Sequence, residues 1–239
     1  MQLENVVFDA VEPQRLGRFW EAVVGGEQLT DDVGGYETRL AVADGPVLDL
    51  CFQPVPEPPA ERTRLHLDLA GTGRAEEVDR LVGLGARRLD ADEEGGGWVV
   101  LADPEGNRCR VVEDGAPYAD TGPLAALSLD SADPDRDAEF WSWLTGWTEV
   151  SGAAPRSLRH PSLRGPFLEL RHEVAPKSAA KNRLHLDVRL EAGEDADAVE
   201  AAITERGGRR VLHPEWGELP WRSYTDPSGN DFCVLPGSA

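Results

Sequence analysis

Arg64-Leu65-His66-Leu67-Asp68-Leu69 recurs as Arg183-Leu184-His185-Leu186-Asp187-Val188, an offset of 119 residues. On one side of it, Phe19-Trp20 returns as Phe140-Trp141 at an offset of 121; on the other, Asp103-Pro104-Glu105-Gly106-Asn107 returns as Asp226-Pro227-Ser228-Gly229-Asn230 at 123. Three matches in one order, with offsets drifting by only a few residues, are the mark of a duplication with small loop insertions. The Gly-, Pro- and Asp-rich stretch from Asp114 to Pro123 separates the copies and places domains at 1–115 and 122–237.

A finer repeat runs inside each copy. In the first, Leu3–Ala10 reads as a strand and Pro13–Val24 as a helix with Pro in its first turn, where the missing N–H costs nothing. Short strands follow near Glu27–Thr30, Tyr36–Val42 and Val47–Gln53. The pattern then restarts with strand Arg64–Leu69, helix Ala75–Leu84 and strands near Arg87–Leu89, Gly97–Ala102 and Asn107–Glu113. Copy two keeps the order, with helices near Arg136–Leu144 and Asp195–Arg206. Each half-copy is therefore a βαβββ module, and the fold class is α+β. Two modules join into a curved, cup-shaped mixed sheet with helices outside. Because strand residues alternate between faces, Leu65, Leu67 and Leu69 belong under the helices while His66 and Asp68 point into the cup. Whether a cup closes within one copy or is completed by exchange between copies or chains stays open at this point.

Composition narrows the partners. The formal net charge of −20, with no basic stripe to offset it, repels phosphate backbones and excludes nucleic acid and anionic membrane partners. No apolar run is long enough to span a bilayer, and the start Met-Gln-Leu-Glu-Asn-Val-Val-Phe reads as a strand rather than a leader, so the expected location is cytoplasmic. Cys51, Cys109 and Cys233 are odd in number and widely spaced, which argues against a disulfide framework, and Cys109 falls on the apolar phase of its strand as an inert buried thiol. The chain is expected to be a monomer or homodimer.

The Phe-Trp helix, the Leu-His-Leu-Asp strand and the Asp-Pro-x-Gly-Asn turn together resemble the vicinal oxygen chelate superfamily, which includes glyoxalase I, extradiol dioxygenases and bleomycin-resistance proteins. The resemblance covers nearly the whole chain, twice. It implies a small-molecule cup, and in metal-dependent members four ligands, on the first, fourth, fifth and eighth strands. Carried over singly, the fifth-strand His is matched by His66 and His185, and a fourth-strand carboxylate by Asp49 and Glu169. The first-strand His becomes Asn5 and Ala126, and the last-strand Glu becomes Arg110 and Cys233. A guanidinium cannot ligate a cation. No resident cofactor is therefore expected; a divalent metal, where one binds, would have His185 and Glu169 as ligands.

The residues themselves allow more than one chemistry. His66 with Asp49, and His185 with Glu169, are candidates for proton transfer, since a carboxylate orients an imidazole and raises its pKa. Asn5, Asp68, Trp98, Arg110, Asp187, Trp221 and Cys233 are candidate ligand-binding positions. Arg110 either neutralises Asp49 and Asp68 or grips a substrate anion. Trp98 and Trp221 stand where they line the cup mouth and stack on a flat ligand, whereas Trp20 and Trp141 belong to the core. Trp143, Trp147 and Trp216 lack counterparts in copy one and so mark any ligand preference peculiar to copy two. Asp9 and Asp130, at strand ends, are expected to support the helices that follow. The leading expectation is a metal-independent binder of a small aromatic or carbonyl-containing molecule; the alternatives are an isomerase, epimerase or lyase, and then a metal-dependent glyoxalase or dioxygenase.

Overall fold

The computed structural model describes residues 1–57, 63–71, 73–89, 98–113, 115, 117–214 and 217–237. The chain runs as four βαβββ modules. The first comprises β1 (Gln2–Ala10), α1 (Pro13–Val24), β2 (Glu27–Asp32), β3 (Gly35–Ala41) and β4 (Val47–Pro54). The second comprises β5 (Leu65–Gly71), α2 (Arg74–Leu84), β6 (Arg87–Arg88), β7 (Val99–Ala102) and β8 (Arg108–Glu113). The third is β9 (Leu124–Ser131), α3 (Pro134–Thr145), β10 (Thr148–Val150), β11 (Arg156–Arg159) and β12 (Phe167–His172). The fourth is β13 (Leu184–Arg189), α4 (Ala196–Glu205), β14 (Arg209–Val211), β15 (Arg222–Thr225) and β16 (Asp231–Leu235). Every expected helix and strand forms, with ends moved by a few residues; Gly97 and Trp216 lie outside the described residues.

The modules pair across the duplication. One eight-stranded sheet has the order β14-β15-β16-β13-β1-β4-β3-β2 and joins the first module to the fourth; the other, β10-β11-β12-β9-β5-β8-β7-β6, joins the second to the third. Each sheet is closed at its centre by an antiparallel seam, β1 against β13 and β5 against β9. The question left open by the sequence is thus answered: each cup is completed by exchange between copies.

Alternation sorts the strand residues as the pattern requires. Val6, Phe8, Leu50, Leu65, Leu67, Leu127, Leu186 and Phe232 enter one continuous core that includes residues from both sheets and the helices. In α1 the apolar positions Leu16, Phe19, Trp20 and Val23 recur at helical spacing and are buried, and Gly25 ends the helix at φ 66°, a conformation only glycine adopts cheaply. Trp20 and Trp141 are core residues as expected, and so are Cys109, whose thiol pKa burial pushes up, and Trp147. Trp143 packs at the edge of the same core, with the Arg206 guanidinium 4.3 Å from its ring centroid. Neither Trp143 nor Trp147 therefore gives copy two a distinct ligand surface.

Two expectations for the helix starts need correction. Asp9 does not serve α1: its carboxylate lies 2.6 Å from Lys181 Nζ, and the backbone N–H groups of Val11 and Glu12 donate instead to Glu105, at 2.9 and 2.7 Å. At α3 the cap is Asp133, whose side chain accepts from the Arg136 N–H at 3.3 Å, rather than Asp130. No helix among the described residues is long and apolar enough to cross a membrane.

The topology makes a direct prediction. Residues 1–115 expressed alone keep β1 and β5 but lose both seam partners, β13 and β9. They are expected to dimerise or aggregate rather than yield a monomer, because two bare sheet edges recruit other strands. Size-exclusion chromatography with light scattering decides it; a monodisperse monomer with a cooperative melt would show that a cup closes within one copy.

Candidate functional site

The exchange regroups the candidate residues. On the cup face of the first sheet, the seam sets Asn5 opposite Asp187 and Val7 opposite His185, the parallel pair sets Asn5 beside Asp49, and Asp187 stands beside Cys233. On the second sheet His66 lies opposite Ser128, and Asp68 lies between Ala126 and Arg110. His66 therefore shares a cup with Glu169, and His185 with Asp49. The pairings expected within each copy, His66 with Asp49 and His185 with Glu169, are not made; nor can His185 and Glu169 hold one metal, since they lie on different sheets.

The first cup contains a cavity of about 210 Å³, with Asn5, Lys181, His185, Asp187, Trp221 and Cys233 among its walls. Asn5 Nδ2 donates to Asp187 Oδ2 at 3.2 Å, His185 Nε2 stands 3.5 Å from Asp187 Oδ1, and Ser223 Oγ meets Cys233 Sγ at 3.6 Å. One ligand atom each from His185, Asp187 and Cys233 lies within 4.8 Å of the other two. Three polar atoms of this group are buried with no hydrogen-bond partner among the described residues: Asn5 Oδ1, His185 Nδ1 and Asp187 Oδ1. Asp49, although on the same face, is occupied. Arg39 donates to both of its oxygens through Nε and Nη2, at 2.8 and 2.7 Å.

Burial sets the protonation of this group. Loss of water, reinforced by the Lys181 charge, drives the His185 pKa well below its ordinary value, so the imidazole is neutral. The same loss raises Asp187 to about 7, against the lowering effect of the Asn5 and Cys233 hydrogen bonds. It also pushes Cys233 up to about 12, which keeps it a thiol in the free protein. Lys181 itself is tied to Asp9 at the rim.

The second cup is filled by its own side chains. Arg110 grips Asp68 through Nε and Nη2, both at 2.7 Å, and Ser128 donates to the same carboxylate at 2.7 Å. Glu169 accepts from Tyr118 at 3.2 Å and pairs with Arg171, whose Nε also reaches Ser128 at 3.2 Å. Burial raises the Glu169 pKa, while the Arg171 charge opposes that rise. Trp98 covers both guanidinium groups, 5.4 and 5.6 Å from its ring centroid, and Val112, Tyr118, Ala126 and Phe167 pack into a separate small core there. Asp68 and Glu169 have no exposed surface. Arg110 thus neutralises Asp68 rather than Asp49, which lies on the other sheet, and its Nε and Nη2 are engaged by that carboxylate. His66 is buried on this face with partners of its own.

Sequence reasoning missed Lys181, Ser223, Tyr118 and Arg171. Ser223 was recoverable, because it pairs with Cys233 in register. Arg171 alternates with Glu169 and was also within reach. Tyr118 sits in the segment between the copies, where no period points anywhere.

The chain matches the family described as "Glyoxalase-like domain" twice, over residues 5–112 and 126–235. Glyoxalase I from Zea mays is similar in structure, with 19% identity, a TM-score of 0.67 and coverage of 98% of this chain and 92% of that one. A putative dioxygenase from Bacillus subtilis subsp. subtilis superposes with a TM-score of 0.60 at 15% identity, covering 100% of this chain and 86% of that one. At these identities the likeness is one of fold. No curated protein sequence matches this one.

The closed cup can be tested by its charge balance. Arg110→Ala leaves the Asp68 carboxylate buried without its main partner and is expected to destabilise the fold by about 3–5 kcal/mol. Adding Asp68→Asn to that variant should recover much of the loss. Urea denaturation measures both; a loss under about 1 kcal/mol for Arg110→Ala would show that the pair does not hold the second cup closed.

Proposed function

Because the chain belongs to the glyoxalase-like domain family, a family of cup-shaped sheets, we propose that it binds one small, uncharged carbonyl- or hydroxyl-bearing aromatic molecule in the cup shared by its first and last modules. The second cup is its closed structural counterpart. The observation that carries this reading is the set of three buried polar atoms, on Asn5, His185 and Asp187, with no hydrogen-bond partner among the described residues, beside a cavity of about 210 Å³. A buried donor or acceptor without a partner costs about 1–3 kcal/mol, so a ligand that supplies the missing hydrogen bonds recovers that energy on binding.

The remaining walls define the ligand further. The cavity is below the range of about 300–1,000 Å³ typical of drug-sized ligands, which sets the occupant at roughly one ring with its substituents. Glu37, Asp187 and Asp231 outnumber Lys181 on the walls, and Lys181 is already held by Asp9, so the local field disfavours an anion. Trp221 offers a flat apolar face, and Asn5 and Asp187 an oriented polar one. In this arrangement Asn5 fixes Asp187, Asp187 and His185 face the ligand's oxygen, and Trp221 covers its ring.

Calorimetry of the chelator-treated full chain against phenol, catechol, benzaldehyde and acetophenone tests the reading. At least one of these is expected to bind, with affinity falling roughly tenfold or more in Trp221→Ala and His185→Ala. Trp98→Phe, in the closed cup, should leave it unchanged. Binding that depends on Trp98 and not on Trp221 would assign the function to the wrong cup here, and no binding by any of the four would reject the ligand class.

A further inference from the structure

The duplication sets two equivalent connections side by side. Leu89 and Trp98 flank the link from β6 to β7, and Leu212 and Trp221 flank the link from β14 to β15 at a constant offset of 123, so both links have the same length. Their chemistry is opposite. Before Trp98, residues 90–97 read Asp-Ala-Asp-Glu-Glu-Gly-Gly-Gly; before Trp221, residues 213–220 read His-Pro-Glu-Trp-Gly-Glu-Leu-Pro. Acids and glycines are at ease in water, whereas Leu, Pro and Trp in a surface connection gain by being covered. The apolar version belongs to the cup that stayed open. We propose that the connection between β14 and β15 builds a second compartment of the first cup, and that this compartment takes an apolar alkyl substituent of the bound ring. This rests on the reading that the first cup binds a small aromatic molecule.

A hollow of about 450 Å³ lies against this connection, with Val211, Leu212, Pro214 and Leu219 among its walls. His213, Trp221 and Ser223 line both this hollow and the cup cavity of about 210 Å³. The cup alone holds about one ring, but the two spaces together fall in the range of about 300–1,000 Å³ in which drug-sized ligands bind. Trp221 is the largest side chain they share, and its setting differs from that of Trp98. Trp98 packs against the small core of the second cup, with two guanidinium groups over its ring. Trp221 is partly exposed and joins neither core, and no ring or guanidinium stacks on it among the described residues. The counterpart that is locked into a plug in one cup thus stands between two hollows in the other.

Polarity selects an apolar substituent over a charged one. The Arg210 guanidinium on the wall is already engaged: it donates to the Ser223 carbonyl at 3.1 Å, lies 5.1 Å from the Tyr224 ring centroid and faces Glu200 at 3.6 Å. Glu218 is exposed, where water solvates its charge. Leu212 is 71 % exposed, so a hydrocarbon chain lying against it and Leu219 removes apolar surface from water on both partners. In this arrangement the polar group of the ligand meets Asp187 and His185, its ring lies at Trp221, and a substituent on the far side of the ring ends against Leu219.

Calorimetry of the full chain with phenol, p-ethylphenol and p-butylphenol, and with acetophenone, p-ethylacetophenone and p-butylacetophenone, tests the compartment. In the series whose parent ring binds, each added methylene is expected to tighten binding roughly threefold. Tyramine and p-hydroxyphenylpropanoate, whose chains end in a charge, should bind no tighter than phenol. In Leu212→Asp and Leu219→Asp the gain from the butyl chain should shrink at least fivefold, while the parent ring binds as before; circular dichroism confirms that both variants fold. A parent ring that binds with no gain from the chain, a gain that survives both substitutions, or tighter binding of either charged chain would each overturn the compartment and leave the cup reading standing. Binding by no member of either series would overturn both.

Discussion

Everything in this molecule depends on how two Asp-Pro-x-Gly-Asn turns are held. Trp141 Nε1 donates to Asp226 at 3.1 Å, and Trp20 Nε1 to Asp103 at 3.0 Å. Each bond crosses from one sheet to the other, since Trp20 belongs to the first module and Asp103 to the second, Trp141 to the third and Asp226 to the fourth. The repeated arginines complete the grip. Arg64 donates to Asn230 Oδ1 at 2.6 Å, and Arg183 to the Glu105 carbonyl at 3.1 Å. Two pseudo-equivalent joints result, each a turn from one module held by a Trp and an Arg from two others. The three motifs that betrayed the duplication are the parts of one repeated device. Hydrogen bonds to a charged group contribute about 1.5–3 kcal/mol each, and a buried carboxylate such as Asp226, whose pKa burial raises to about 6, is tolerable only with all of its donors in place.

The joints also explain why the cups could diverge. Joint residues sit on the helix side and at the turns, whereas the cup residues sit on the opposite face of the same strands. A substitution in a cup therefore leaves the joint intact. In the second cup Ala126 and Arg110 occur where a ligand would be needed, and Arg110 found Asp68, while Arg171 and Tyr118 satisfied Glu169. The outcome is a polar plug in which each charge has a partner. The first cup went the other way. It keeps fixed pairs, Asp9 with Lys181 and Asp49 with Arg39, and its centre retains polar atoms with no hydrogen-bond partner among the described residues.

Much of this was legible in the sequence, and the limits have physical reasons. The period-two alternation in Leu65–Leu69 and the 3.6-residue spacing in Pro13–Val24 report which face is buried, and both are local, so the elements and the faces came out as expected. Partner choice between strands is not local. A β1 that pairs with β13 and one that pairs with β5 have the same sequence, and contacts such as the bond from Trp20 to Asp103, 83 residues apart, lie outside any local pattern. That one missing fact misassigned the carboxylates: Asp49 and Glu169 were each given to the wrong histidine. Within each turn Gly106 and Gly229 alone take positive φ, at 89° and 84°, so the Asn is not there for its backbone. Asn107 and Asn230 act through their side chains, donating to Asp103 and Asp226.

The exchange has a further consequence for the first cup. Its walls come from the two ends of the chain, with Asn5 contributed by β1 and His185, Asp187 and Cys233 by the fourth module. The seam register that sets Asn5 against Asp187 is therefore part of the site. A one-residue slip along β1 and β13 would turn Asn5 toward the helices and bury Val6 in the cup, exchanging the two faces of the strand. Register here is pinned from both sides, by Val6 and Phe8 in the core and by the Arg189–Glu4 ion pair beside the seam. Loosening either would leave the fold able to pair its strands but unable to hold Asp187 in one orientation. The orientation of a single buried carboxylate is thus set by the closure of the whole molecule.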